Sequence, residues 1–255
     1  MSVVGIVSMK GGVGKTTLTA NLASSLAQKL GPGRVSALDL DPQNALHWHF
    51  NIDNTQVNGL CRWAVSKRAS HIPLLKTAAD VRCGPYGFVS EQERQAFEEK
   101  LVQRPNWLDQ LIRKYKLDHE AIVLVDTPPG PTVYLRQLMQ CVDLLLVVVL
   151  PDGGSFLTVP AMETFLDGYA DARPELLSAY VVNQVEADSS LQSDVQRMLA
   201  EDLGPRVCPV TVRREDVVGE AVAYQTPLCL HEPKSLACAD ISRLSDWVLD
   251  VLQMA

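Results

Sequence analysis

The sequence predicts an α/β fold, a mostly parallel sheet covered by helices on both faces, and three observations carry that prediction. Short β-branched apolar runs bounded by turn residues recur at Val3–Val7, Val35–Leu38, Ile122–Val125, Leu144–Leu150 and Ala179–Val182. Segments with helical spacing separate these runs, and continuous apolar runs of this length suit strands buried on both faces. The chain has 255 residues, 47% of them hydrophobic, which is enough to bury a sizeable core and sits at the upper end of what one domain holds. We therefore expect one domain over residues 1–255.

The elements follow in order. After Val3–Val7 comes a glycine-rich turn, then a helix over Lys15–Leu30 with Leu18, Leu22, Leu26 and Leu30 every four residues. The second strand leads into a less regular, charged stretch from about 51 to 120, too long for an ordinary connection. We read it as helical decoration of the same domain, with an additional strand near Ala79–Arg82. Later helices are expected over Val195–Leu203, Val217–Tyr224 and Ile241–Met254.

Composition excludes several classes of function. Lys plus Arg number 23 against 30 Asp plus Glu, and the formal charge of −7 gives no general attraction to nucleic acid or anionic lipid. No direct nucleic-acid partner is expected. The six cysteines, Cys61, Cys83, Cys141, Cys208, Cys229 and Cys238, form no C-x-x-C pair or disulfide framework and are expected to be reduced thiols. The N-terminus lacks the pattern of a signal peptide, and no run approaches the ~20 apolar residues that span a bilayer. These features predict a cytoplasmic protein without an intrinsic membrane anchor.

The strongest signal follows the first strand: Lys10-Gly11-Gly12-Val13-Gly14-Lys15-Thr16-Thr17, running straight into the first helix. Glycines let backbone N–H groups fold around phosphate oxygens, and the helix start adds unpaired N–H groups and a positive dipole end. In this pattern Lys15 neutralises the β- and γ-phosphates, Thr16 ligates magnesium and Thr17 is placed to bond the α-phosphate. The usual motif puts glycine six residues before the lysine. Met9 stands there instead, and a second lysine, Lys10, follows it.

That departure resembles the deviant Walker A family, which includes ParA, MinD, the nitrogenase iron protein and arsenite-pump ATPases. The resemblance implies a P-loop NTPase fold of the SIMIBI type, ATP and Mg2+ as ligands, and an ATP-dependent homodimer in which Lys10 reaches the partner's nucleotide. Asp39-Leu40-Asp41-Pro42-Gln43 is similar to the family's D-x-D-P-Q segment. By that resemblance Asp41 positions the hydrolytic water, and Asp39 supports magnesium through water. Asp126-Thr127-Pro128-Pro129-Gly130 matches the family's Walker B and second switch, which gives Asp126 a magnesium-bound water. Tyr180-Val181-Val182-Asn183-Gln184 resembles the base-recognition segment, with Asn183 as the adenine contact. Arg213, in Val210-Thr211-Val212-Arg213-Arg214-Glu215, falls in a segment like the base-flanking loop, although Val212 replaces the family's usual proline. Asp152 falls where some relatives reach the opposing subunit's ribose.

Other features are set aside. His47 and His49 lie two residues apart and lack a partner with metal-ligand spacing. Arg113-Lys114-Tyr115-Lys116 reads as a solvated helix face. The last helix, bearing Asp246 and Asp250, lacks the basic polar face of a MinD-type anchor and reads as core packing. Neither Cys83 nor Cys141 sits where the nitrogenase iron protein places its cluster ligands.

Two segments, His49-Phe50-Asn51-Ile52-Asp53 and Gly84-Pro85-Tyr86-Gly87-Phe88-Val89-Ser90-Glu91-Gln92-Glu93, resemble the cellulose-biosynthesis branch, the BcsQ/YhjQ proteins. That branch implies an ATPase, slow without an activating partner, that positions or scaffolds a membrane cellulose synthase through its accessory subunits and is recruited to the inner membrane or cell pole through them. A ParA-like partition ATPase, a MinD-like positioning ATPase and a P-loop metabolic ligase are the competing readings.

Overall fold

A computed structural model describes residues 1–53, 58–66, 72–114 and 122–253. Tyr115, Lys116 and Met254 lie outside the described residues, as does the rest of the decorated stretch at 54–57, 67–71 and 115–120.

The strands are β1 (Ser2–Val7), β2 (Val35–Asp39), β3 (Leu75–Lys76), β4 (Val81–Gly84), β5 (Ile122–Asp126), β6 (Leu144–Val149), β7 (Leu177–Val185) and β8 (Val212–Arg213). They form one eight-stranded sheet in the order β3-β4-β2-β5-β1-β6-β7-β8. Every pairing is parallel except β3 with β4. The helices are α1 (Lys15–Leu30), α2 (Leu60–Val65), α3 (Glu91–Gln103), α4 (Trp107–Lys114), α5 (Val133–Leu138), α6 (Gly153–Phe156), α7 (Val159–Asp167), α8 (Ser190–Leu203), α9 (Asp216–Ala223), α10 (Leu228–His231) and α11 (Leu236–Gln253).

Alternation along the central strands builds a core on each face. Val123 and Val125 of β5, with Leu145 and Val147 of β6, pack in the layer that holds Phe97 of α3, Leu108 of α4 and Leu135 of α5. Ile122 and Leu124, with Leu144 and Leu146, pack on the other face with Leu22 and Leu26 of α1 and Leu244 and Val248 of α11. Both faces of a parallel sheet must be covered, because its connections cross over it. The last helix is thus a core element, joined to α1 by the buried Ser25–Ser245 hydroxyl pair at 2.8 Å.

Several expectations are refined. The additional strand exists but sits at Val81–Gly84, and β7 runs longer than its apolar centre at both ends. Both two-residue edge strands, β3 and β8, are too short to leave a period in the sequence. Cys229 and Cys238 are not free thiols: a disulfide joins them, at a Cα separation of 5.4 Å, across the turn between α10 and α11. Nine residues of spacing carry no pattern; the helical turn brings them together. Cys61, Cys83, Cys141 and Cys208 are free. His47 and His49 are buried in a 3-10 turn over Leu46–Phe50, where burial and the His47 charge hold His49 down to about 4. No group of three His, Cys, Asp or Glu side chains that could hold a metal occurs among the described residues. No helix there is long and apolar enough to cross a membrane.

The decorated stretch is anchored by backbone contact. Leu60 and Cys61 donate their N–H groups to Pro85 O at 2.8 Å and Tyr86 O at 3.1 Å. This approach brings Gly59 against Gly87, which has φ +95, so that a Cβ on Gly59 would clash with Tyr86 O and Gly87 Cα. Buried Tyr86 then bonds Tyr134 of α5 at 2.9 Å, tying the stretch to the central layer. Gly59→Ala is expected to cost about 1–3 kcal/mol by overpacking. Urea unfolding checks this, with the transition midpoint falling and the slope unchanged.

Candidate functional site

The C-terminal ends of β1, β2 and β5 lie side by side, and they define a crevice where chain elements with polar ends converge. Between β1 and α1 the chain turns through Gly12 at φ +77 and Gly14 at φ +88, conformations that side-chain-bearing residues rarely adopt. Gly14 is the cap residue of α1 and offers no side-chain acceptor. The first N–H groups of this 16-residue helix therefore face the crevice without a capping side chain.

Lys15 is 6% exposed, and its Nζ donates to Ser8 Oγ at 3.0 Å. Burial lowers its pKa, opposed by the charges of Asp126 and Asp41. Thr16 Oγ1 donates to Asp126 Oδ2 at 2.6 Å, and Thr19 Oγ1 reaches Asp126 Oδ1 at 3.4 Å. Asp39 and Asp126 are register partners on β2 and β5, and both are fully buried. Burial pushes Asp126 up to about 7, against the Thr16 bond and the Lys15 charge that pull it down. Burial and the Asp126 charge also raise Asp39, although its carboxylate accepts N–H bonds from Asp41 at 2.9 Å and Leu46 at 3.1 Å. Asp41 is 8% exposed and accepts the Gln43 N–H at 2.9 Å.

Asp39, Asp41 and Asp126 thus share a crevice with the single ammonium of Lys15, and the imbalance is resolved either by protonation or by a cation. Oxygen donors only, one hydroxyl and carboxylates that do not close into a cage, fit a hard divalent cation that keeps waters and shares phosphate ligands.

Beside the loop lies a cavity of about 320 Å³ whose lining includes Gly14, Thr17, Asn21, Asn183, Arg213 and Val218. Asn183 Nδ2 donates to Val13 O at 2.8 Å. Asn21 Oδ1 accepts the Leu228 N–H at 2.6 Å, which fastens the cavity wall next to the Cys229–Cys238 disulfide. Arg213 lines this cavity, yet its guanidinium is engaged by Asp240, Nε to Oδ2 at 2.7 Å and Nη2 to Oδ1 at 3.1 Å. At the rim Lys10 Nζ pairs with Asp152 Oδ2 at 2.8 Å, both side chains being more than a third exposed. Asp152 also caps α6 by accepting the Ser155 N–H at 2.6 Å. Its burial opposes ionisation, but the bonds from Lys10 and Ser155 prevail and hold its pKa below the ordinary range.

The fold therefore gathers Lys15, Thr16, Asp39, Asp41 and Asp126 in one crevice and Thr17, Asn183 and Arg213 along the adjoining cavity. Lys10 and Asp152 meet each other at the rim. Sequence reasoning did not single out Ser8, Thr19 or Asn21. Thr19 and Asn21 carried a readable signal, since each is a polar residue on a buried stretch of α1.

A family model described as "Cellulose biosynthesis protein BcsQ" matches residues 1–249. The cellulose biosynthesis protein BcsQ of Salmonella typhimurium is 26% identical over 253 residues, covering 98% of this chain and 94% of that protein. Among solved structures, the septum site-determining protein MinD of Pyrococcus horikoshii, complexed with Mg-ADP, superposes with TM-score 0.76 at 21% identity, covering 97% of this chain and 95% of that one. Cobyrinic acid a,c-diamide synthase of Mycobacterium smegmatis, with a bound ATP analogue and magnesium, gives TM-score 0.80 at 19% identity over 99% and 96% of the two chains. These likenesses establish the P-loop ATPase fold.

The raised pKa of Asp126 sets a pH signature for the unliganded protein. Between its unfolded value near 3.8 and about 7 the native state binds the extra proton, so this residue's contribution to stability falls as pH rises through that window. Asp126→Asn removes this residue's share of the dependence and relieves the part of the Asp39 rise that comes from the Asp126 charge. The stability difference between variant and parent, measured by urea unfolding, is expected to move in the variant's favour from pH 4 to pH 7 and to level off above.

Proposed function

The chain belongs to the cellulose biosynthesis protein BcsQ family, and on that footing we propose that it is an ATP-driven dimerisation switch that positions or scaffolds a membrane cellulose synthase. One observation carries the reading: the loop from Lys10 to Thr17 sets a buried lysine and a threonine against the Asp126 carboxylate while leaving a second lysine at the rim.

ATP and Mg2+ are the ligands. The backbone from Gly11 to Gly14 and the α1 N-terminus would cradle the phosphates, with Lys15 opposite the β- and γ-phosphates and Thr17 on the α-phosphate. Asn183 and Arg213 border the base. Thr16, Asp39 and Asp126 are the residues that would hold magnesium, which when bound supplies charge neutralisation for the phosphates. Asp41 accepts a hydrogen bond from the attacking water and orients its lone pair toward phosphorus. Lys10 leaves Asp152 and contributes its charge to the nucleotide of a second copy, and this exchange couples ATP to dimer formation. Asp152 is then free for the partner's ribose.

The cellulose role rests on the family and on the Salmonella relative's name. The partners are accessory subunits of the synthase, and hydrolysis is slow until one of them engages. Recruitment to the inner membrane or a cell pole would pass through those subunits.

Light scattering with ADP, ATP and a non-hydrolysable analogue tests the switch. The parent should dimerise with the triphosphates only, Lys10→Ala should stay monomeric, and Asp41→Ala should accumulate as dimer while its hydrolysis falls about a hundredfold. A nucleotide-independent monomer in all three proteins would overturn the switch and bring a metabolic ligase forward. Immobilised Asp41→Ala with ATP should then retain cellulose-synthase accessory subunits; a trapped dimer that retains none would refute the cellulose role alone.

A further inference from the structure

The geometry points to Asn183 as the residue that positions the phosphate loop, a role beyond the base contact proposed above. The inference rests on reading the crevice as a nucleotide site.

The case begins with the loop's freedom. Val13 lies between Gly12 and Gly14, both at positive φ and both without a Cβ to restrict them. The Val13 side chain is buried in the core layer with Leu18 and Leu22 of α1, which anchors the residue, while the rotation of its peptide toward Gly14 is left to what the carbonyl bonds to. Among the described residues, its carbonyl is bonded by one side chain, the Asn183 amide, from 170 positions along the chain. That bond is buried, where it is not exchanged for water.

Packing fixes the same contact. A Cβ built on Gly14 would lie 2.5 Å from Asn183 Nδ2 and 3.4 Å from Gln184 Nε2, so the loop rests directly on two successive amide side chains. Successive residues of a regular strand point to opposite faces. Here Gln184 takes φ +59 and the β7–β8 register shifts between Asn183 and Val185, a bulge that brings both amides to the loop. Bulges of this kind re-aim side chains at functional sites.

Orientation follows from chemistry. The Val13 carbonyl only accepts, so the NH2 end of the Asn183 amide must face it. The amide oxygen and the second N–H are thereby left for a ligand in the cavity that Asn183 lines, and the oxygen accepts from an exocyclic amine such as that of adenine. One side chain then joins base to phosphate cradle: a base that engages the oxygen holds the amide, and the amide holds the loop.

A ligand without a base separates positioning from base contact. Asn183→Ala and the nearly isosteric Asn183→Leu would be titrated with magnesium tripolyphosphate and with Mg-ATP, beside Val222→Ala, which alters a cavity wall away from the loop. Thermal melts without ligand confirm folding. Both Asn183 variants should bind tripolyphosphate about tenfold more weakly, and hydrogen exchange over residues 9–16 should quicken without ligand. Val222→Ala should weaken Mg-ATP and leave tripolyphosphate and exchange unchanged. Unaltered tripolyphosphate affinity and unaltered exchange in the Asn183 variants, with Mg-ATP alone weakened, would overturn the positioning role and leave a base contact. A parent protein that bound neither ligand would instead overturn the nucleotide reading on which the inference rests.

Discussion

On neighbouring parallel strands, Asp39 and Asp126 are paired in register, and Ile6 pairs with Asp126 from the other side. The crevice depends on that alignment, since a slip of one residue in β5 would exchange its two faces. Asp126 would then lose Thr16 and Thr19, and Val123 and Val125 would leave the layer that buries them. The apolar alternation of β5 is thus what holds a carboxylate in place at its end. Stability and site geometry are set by the same five residues.

The second constraint is electrostatic. Burying several carboxylates beside one ammonium is costly, and the native fold meets that cost with hydroxyl and backbone donors from α1 and from the turn after β2. Gly130, just beyond β5, donates its N–H to Ser8 O at 2.8 Å, and Thr127 Oγ1 donates to Ile6 O at 3.1 Å. The turn after β5 is in this way bonded to the strand and loop that carry Lys15, so a shift in one is felt by the other.

The sheet's central strands, α1 and the phosphate loop were legible because each obeys a short-range rule: apolar runs, four-residue spacing, glycines before a helix. Asp39 and Asp126 were legible through their motifs and their position at strand ends. What escaped is long-range or too brief to leave a pattern. β8 is two residues long, and the engagement of Arg213 by Asp240 depends on a helix 27 positions away. The Cys229–Cys238 disulfide depends on the turn between two helices, which no spacing rule encodes. The pairing of Lys10 with Asp152 depends on β1 and β6 being neighbours in the sheet.

The order of the strands also bears on how the molecule behaves in company. The long apolar strands β1, β5 and β6 lie in the interior of the sheet, and among the described residues each outer edge is formed by a strand of two residues. Unpaired edges are where sheets of different molecules join, and short ones offer too few free backbone groups for such pairing to propagate. A protein of this construction can be crowded at high local concentration and still be guided in its self-association by side chains, without drifting toward the open-ended stacking of strands that ends in aggregates.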